Sequence, residues 1–103
     1  MIQVIYDREN TAVEVRGHAN WAAPGEDLVC AGVTTLVLTL QNYVFTWGGY
    51  CRKESGFARI RCPAAGAEGM AAICGGFRML ADLFPQYVSY RWRDREENEN
   101  LLK

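Results

Sequence analysis

The chain contains one histidine, His18, and four cysteines, Cys30, Cys51, Cys62 and Cys74. Any imidazole base is therefore His18, and Cys30 follows it twelve positions later. A thiol paired with an imidazole has the groups that nucleophilic acyl transfer needs: the ring takes the proton and the thiolate attacks a carbonyl carbon. No two cysteines stand in the C-x-x-C spacing of a zinc knuckle or redox pair, so neither a metal centre nor any cofactor is expected. Cys51, Cys62 and Cys74 fall in strands or on an apolar helical stripe and read as packing residues. For Cys30 and His18 the residues leave several readings open. Cys30 packs as a small hydrophobe while His18 caps a loop, which residue types alone favour; or the two form a catalytic pair; or Cys30 is a redox switch, a reading weakened by the lack of a resolving cysteine nearby in sequence.

The elements around these residues must decide whether they can meet. Residues 2 to 7 alternate Ile2, Val4 and Tyr6 with Gln3, Ile5 and Asp7, and residues 11 to 16 alternate Val13 and Val15 with Glu14 and Arg16, so two strands are expected with a turn at Asp7-Arg8-Glu9-Asn10. Gly17 to Glu26 has no sustained period and reads as a loop leaving the second strand. From Leu28 to Trp47 no charged residue occurs, while Val29, Val33, Leu36, Val37, Leu40, Val44 and Trp47 recur at helical spacing. With Asp27 as N-cap, Cys30 falls in the first turn of this helix, where free N–H groups and the positive dipole end favour thiolate and an oxyanion. Gly48-Gly49 ends the helix, and residues 50 to 54 and 57 to 62 form a second hairpin around Ser55-Gly56. After Pro63-Ala64-Ala65-Gly66 a second helix runs up to Pro85, with Gly75 and Gly76 allowing a close backbone approach, and residues 87 to 93 alternate as a last strand.

Strand, strand, helix, strand, strand, helix, strand is most economically a two-layer α+β sandwich, a largely antiparallel sheet with both helices on one face. Residues 1 to 93 are expected to form one domain and 94 to 103 a polar tail. Leu38, Tyr43 and Phe45 lie off the main stripe of the long helix, so a second apolar face needs a cover and a homodimer is expected.

At 103 residues, with 50% hydrophobic side chains, disorder and multidomain architecture are excluded. Eleven basic against twelve acidic residues give no broad footprint for nucleic acid or an anionic membrane. A membrane span over residues 28 to 47 is rejected, because Thr34, Thr35, Thr39, Gln41, Asn42 and Thr46 would lie in hydrocarbon with no flanking basic cluster. The opening MIQVIYDREN lacks the pattern of a secretory signal, so a cytoplasmic location with reduced thiols is expected.

Gly17-His18-Ala19, Gly25 and the run Asp27-Leu28-Val29-Cys30-Ala31-Gly32-Val33-Thr34 resemble the signature of the ribosomal-processing cysteine protease family, Prp. By element order the resemblance covers residues 1 to about 92, with the specific motif confined to 17 to 34. It implies an α+β homodimer with Cys30 as nucleophile, His18 as general base, Asp27 and Thr34 in support, and a mobile substrate loop holding Gly17, Ala19, Trp21 and Gly25. Thr34 stands where many relatives have serine, and Gly32 replaces a common alanine. The resemblance implies removal of the N-terminal extension of a large-subunit ribosomal protein, after an aromatic residue in a short apolar motif. Alternatives of the same family are processing of a phage capsid or scaffold protein, or a ribosome-associated role without catalysis.

Overall fold

The computed structural model describes residues 1–17 and 24–93, with residues 24–27 described as backbone only. Strands β1 (Ile2–Asp7) and β2 (Ala12–Arg16) form the expected hairpin. Its turn is held as the residue types suggest: Asn10 donates its backbone N–H to Asp7 Oδ1 at 3.2 Å and its side-chain amide to Asp7 Oδ2 at 2.8 Å. Helix α1 (Pro24–Thr46) follows, then β3 (Tyr50–Glu54), β4 (Phe57–Arg61), a 3₁₀ turn at Ala64–Gly66, α2 (Ala67–Leu83) and β5 (Val88–Arg93).

The five strands lie in the order β3-β4-β2-β1-β5. The two hairpins join through β2 and β4, which pair antiparallel with Val15 opposite Ala58 and Val13 opposite Ile60. β5 pairs parallel with β1, placing Val88 beside Ile2 and Tyr90 beside Val4, so the sheet is antiparallel except at this edge.

Period-two alternation puts Ile2, Val4, Tyr6, Val13, Val15, Ala58, Ile60 and Val88 on one face, all buried. Both helices cover that face, α1 through Val29, Val33, Val37, Leu40 and Val44, and α2 through Met70, Cys74 and Phe77. The stretch Leu28–Thr46 is long and apolar enough to cross a membrane by length and composition, but here one side of it lies on the sheet. The opposite sheet face is polar, and on it Glu14 accepts from Arg59 at 2.6 Å and pairs with Arg16 at 3.0 Å.

Three expectations are corrected. α1 begins at Pro24, where a proline's missing N–H and fixed φ suit the first helical position, so the loop after β2 is shorter than the ten residues expected and Asp27 lies within the helix rather than capping it. Residues 64 to 66 coil into a 3₁₀ turn before α2. Of the paired glycines in α2, only Gly76 makes a close approach: a Cβ there would lie 2.7 Å from Leu36 Cδ2, whereas one at Gly75 would meet nothing within 4 Å. Gly69, in the first turn of α2, also approaches α1 closely, its Cβ position being occupied by the Tyr43 hydroxyl, which donates to Gly66 O at 2.8 Å.

Candidate active site

The long helix and the sheet meet imperfectly at one place. There an open cleft of about 240 Å³ separates the first half of α1 from the β3–β4 hairpin. Cys30, Val33, Thr34, Val37 and Leu38 form the helical wall, with Ile2, Val15 and Gly17 at the end of the β1–β2 pair and Lys53, Glu54, Gly56, Phe57 and Ala58 on the far side. The spacing of the helical residues explains the wall: positions 30, 34, 37 and 38 follow three- and four-residue steps and fall on one side of the helix, next to the buried Val29 and Val33 stripe.

Gly17 is the hinge of this site. Its φ of 99° is left-handed, and a Cβ there would collide with the Met1 carbonyl oxygen, so the position excludes any side chain. Its N–H donates to Gly56 O at 2.9 Å, tying the end of β2 to the β3–β4 turn across the mouth of the cleft. The residue bonded to it in the chain is His18. The structure therefore brings Gly17, Cys30 and Thr34 to one cleft, while His18, Ala19 and Trp21 lie outside the described residues. Gly25 and Asp27 are placed as helical backbone in the first turn of α1.

The early start of α1 changes the electrostatic setting of Cys30. It is the seventh residue of the helix, in the second turn rather than the first. Its Cα–Cβ bond tilts toward the helix N-terminus, as all such bonds do, so the thiol leans back toward the first turn, where the N–H groups of Gly25 and Glu26 have no intrahelical acceptor. A carbonyl oxygen held over that turn would meet donors and the positive end of the dipole.

The other thiols are set apart by burial. Cys74 is fully buried under α2, and desolvation pushes its thiol up to about 12. Burial also raises Cys62 and Cys51, for Cys51 against a smaller opposing pull from Lys53. All three belong to the core or pack on it, as their sequence positions suggested. Cys30 and Cys51 are both partly exposed, and Cys30 alone of the four lines the cleft. Among the described residues no group of three or more His, Cys, Asp or Glu side chains is placed to hold a metal ion. Sequence reasoning missed the far wall: Lys53, Glu54 and Phe57 carry no motif, and only the pairing of β3 with β4 brings them opposite Cys30.

The site is thus a partly exposed thiol, in the second turn of a long helix, at a cleft against the sheet of a ββαββαβ frame. The family model for cysteine protease Prp matches residues 1–91, and the chain belongs to that family. It is 44% identical over 45 residues to the ribosomal processing cysteine protease Prp of Bacillus subtilis (strain 168). That match takes in 44% of this chain and spans about two-fifths, 40%, of the relative's length. The fold is similar to a Streptococcus mutans protein with a TM-score of 0.76 and 24% identity, covering 92% of this chain and 96% of that one. It is also similar to the essential ribosomal processing protease Prp of S. aureus, solved with a covalently linked product peptide, at a TM-score of 0.75 and 18% identity over 90% of this chain and 100% of that one. The same S. aureus protein solved with a substrate peptide gives a TM-score of 0.73 and 17% identity, with the same coverage.

Proposed function

We propose that this chain is a cytoplasmic cysteine endopeptidase, acting as a homodimer, that removes the N-terminal extension of a large-subunit ribosomal protein. The observation that carries the reading is the shared cleft of Cys30 and Gly17, the residue that leads into the chain's only histidine. In the reaction His18 takes the Cys30 proton and the sulfur attacks the scissile carbonyl. The oxyanion so formed is stabilised by N–H groups of the first turn of α1. The C–N bond then breaks as the imidazolium gives its proton to the leaving amine, leaving an acyl thioester on Cys30. Water, deprotonated by His18, adds to the thioester and expels the thiolate, releasing the new C-terminus. Thr34, in the cleft one turn after Cys30, shapes the pocket beside the nucleophile. Asp27 supports the site from the first turn. Gly17, Ala19, Trp21 and Gly25 belong to the substrate loop.

An N-terminal extension suits such a cleft because an extended, disordered segment reaches a nucleophile without unfolding the rest of its protein. The homodimer rests on the apolar residues that α1 leaves exposed outside the cleft lining, Leu28 and Phe45. Light scattering at micromolar concentration should give twice the chain mass, and a monomer mass removes this part of the reading.

The decisive test is mass spectrometry of the ribosomal protein from the same genome after incubation with wild type and Cys30→Ala. Cleavage just after an aromatic residue is expected with wild type alone, with Cys30→Ala retaining the fold by circular dichroism. Turnover by Cys30→Ala at the wild-type rate overturns the nucleophile assignment. Processing of a prophage capsid or scaffold protein in place of the ribosomal one reassigns the substrate and keeps the chemistry.

A further inference from the structure

Opposite Cys30 stands a strand with one side unused. Among the described residues β3 pairs only with β4, and none of them pairs with its other backbone edge. Which groups face outward follows from the turn. Ser55-Gly56, with Gly56 at φ 73°, joins the strands by a two-residue loop, and Glu54 opposite Phe57 is the closing pair. A two-residue hairpin closes on a hydrogen-bonded pair, and bonded and unbonded pairs alternate along an antiparallel ladder. Glu54, Arg52 and Tyr50 therefore turn their N–H and C=O toward β4, while Lys53 and Cys51 turn theirs off the sheet. Lys53 and Glu54 line the Cys30 cleft. Across it, α1 presents Leu38, 51% exposed, one turn beyond Thr34.

Resting on Cys30 as the nucleophile, we infer that β3 is the docking edge for substrate: an extended peptide pairs with the outward N–H and C=O of Lys53 as a sixth strand, which carries its scissile carbonyl to Cys30. A peptide is the occupant this wall fits. Its polar requirement is a backbone donor and acceptor at alternate residues, and its apolar requirement is met by Leu38 on the helical wall, so recognition reads an extended chain with an apolar side chain. The exposed, charged side chains of Arg52, Lys53 and Glu54 are the kind that keep an open edge from aggregating, and Arg52 stands directly opposite Arg59, a like-charge pairing a sheet tolerates at a cost. The other edge strand among the described residues, β5, lies across the full width of the sheet, roughly 19 Å of strand spacing away from β3.

The experiment measures alkylation of Cys30 by acetyl-Ala-Ala-Phe chloromethyl ketone, in which the thiolate forms a C–S bond and chloride leaves, relative to alkylation by iodoacetamide. Ester analogues of the probe replace one amide N–H at a time by oxygen. Paired residues alternate along a strand, so alternate esters should lower the rate ratio on the order of tenfold while those between do not. On the protein side, Lys53→Pro removes the outward N–H without touching the β4 ladder, and Lys53→Ala, which keeps that N–H, is its reference. The rate ratio should fall about tenfold from Lys53→Ala to Lys53→Pro. Equal ratios in the two variants, or ester effects without alternation, overturn the docking edge; the ester series on unaltered protein decides the matter if Lys53→Pro does not fold. A dimer that dissociates in Lys53→Pro assigns the edge to self-association and likewise overturns it. A chain that leaves every ribosomal extension intact yet shows the alternation keeps the edge and loses the ribosomal substrate. Cleavage of that extension without alternation does the reverse.

Discussion

Cys30 and Cys74 occupy the two helices of one layer, above the same face of one sheet, yet they are opposite kinds of thiol. Cys74 points from the middle of α2 into the core with Met70 and Phe77, fully buried, and its Coulombic effect on Tyr90 helps burial push that phenol up to about 12. Cys30 sits where α1 runs past the end of the β1–β2 pair and the sheet beneath it gives way to the cleft. Residue type and host element are the same in the two cases. What differs is whether strand lies beneath the sulfur, so reactivity is set by the outline of the sheet rather than by the helix alone.

The largest expected effect is on alkylation. With its thiol near 12, Cys74 holds about one part in ten thousand as thiolate at pH 8, so in the native protein iodoacetamide should modify it on the order of a thousandfold more slowly than in urea. Peptide mapping should find Cys30 modified first. Early native labelling of Cys74 breaks the contrast.

A second effect is on stability in alkali. The folded Cys74 thiol is raised from 9.0 to about 12, so its contribution is fully present below pH 9 and is lost as pH rises from there toward 12, because the unfolded chain releases that proton first. Denaturant titrations of wild type and Cys74→Ala should therefore converge above pH 9, by up to about 1.4 kcal/mol per pH unit. Parallel stability curves between pH 9 and 11 would contradict the burial of this group.

The smallest effects sharpen the account of what seals α2. Gly76→Ala forces Leu36 aside and should cost roughly 1–3 kcal/mol by overpacking. Gly75→Ala meets nothing and should add roughly 0.5–1 kcal/mol through helix propensity, giving a Tm shift of opposite sign.

Local chemistry made much of this fold legible. Alternation located β1, β2, β4 and β5 to within a residue or two, β3 and the Asp7 to Asn10 turn followed from turn residues, and Gly48, at φ 76°, ends α1 where the paired glycines suggested. Non-local relations were not legible. No residue in 88 to 93 announces that β5 will run parallel to β1, and the difference between Gly75 and Gly76 exists only once Leu36 is placed. At the site, Cys30 was readable from residue type, as the thiol near a helix start after the single histidine, and Thr34 only through the family resemblance. Lys53 and Phe57 were not, since their part depends on a hairpin folding back to face another element. The start of α1 was misplaced because Asp27 is a good cap by residue type, whereas Pro24 three positions earlier is an equally good first helical residue.

The parallel pairing of β1 with β5 also bears on when the site comes into being. Ile2 lines the Cys30 cleft, and its N–H donates to Tyr87 O at 2.8 Å, so β1 is fixed between its hairpin partner and β5, a strand made much later in the chain. A growing chain emerges from the ribosome in order and folds from its leading end as it does so. Until residues 88 to 93 have left the exit tunnel, β1 is itself an unfinished edge, and the wall of the cleft that holds Ile2 lacks its outer support. The cleft thus matures late, gaining its outer support only once β5 has joined the sheet beside β1.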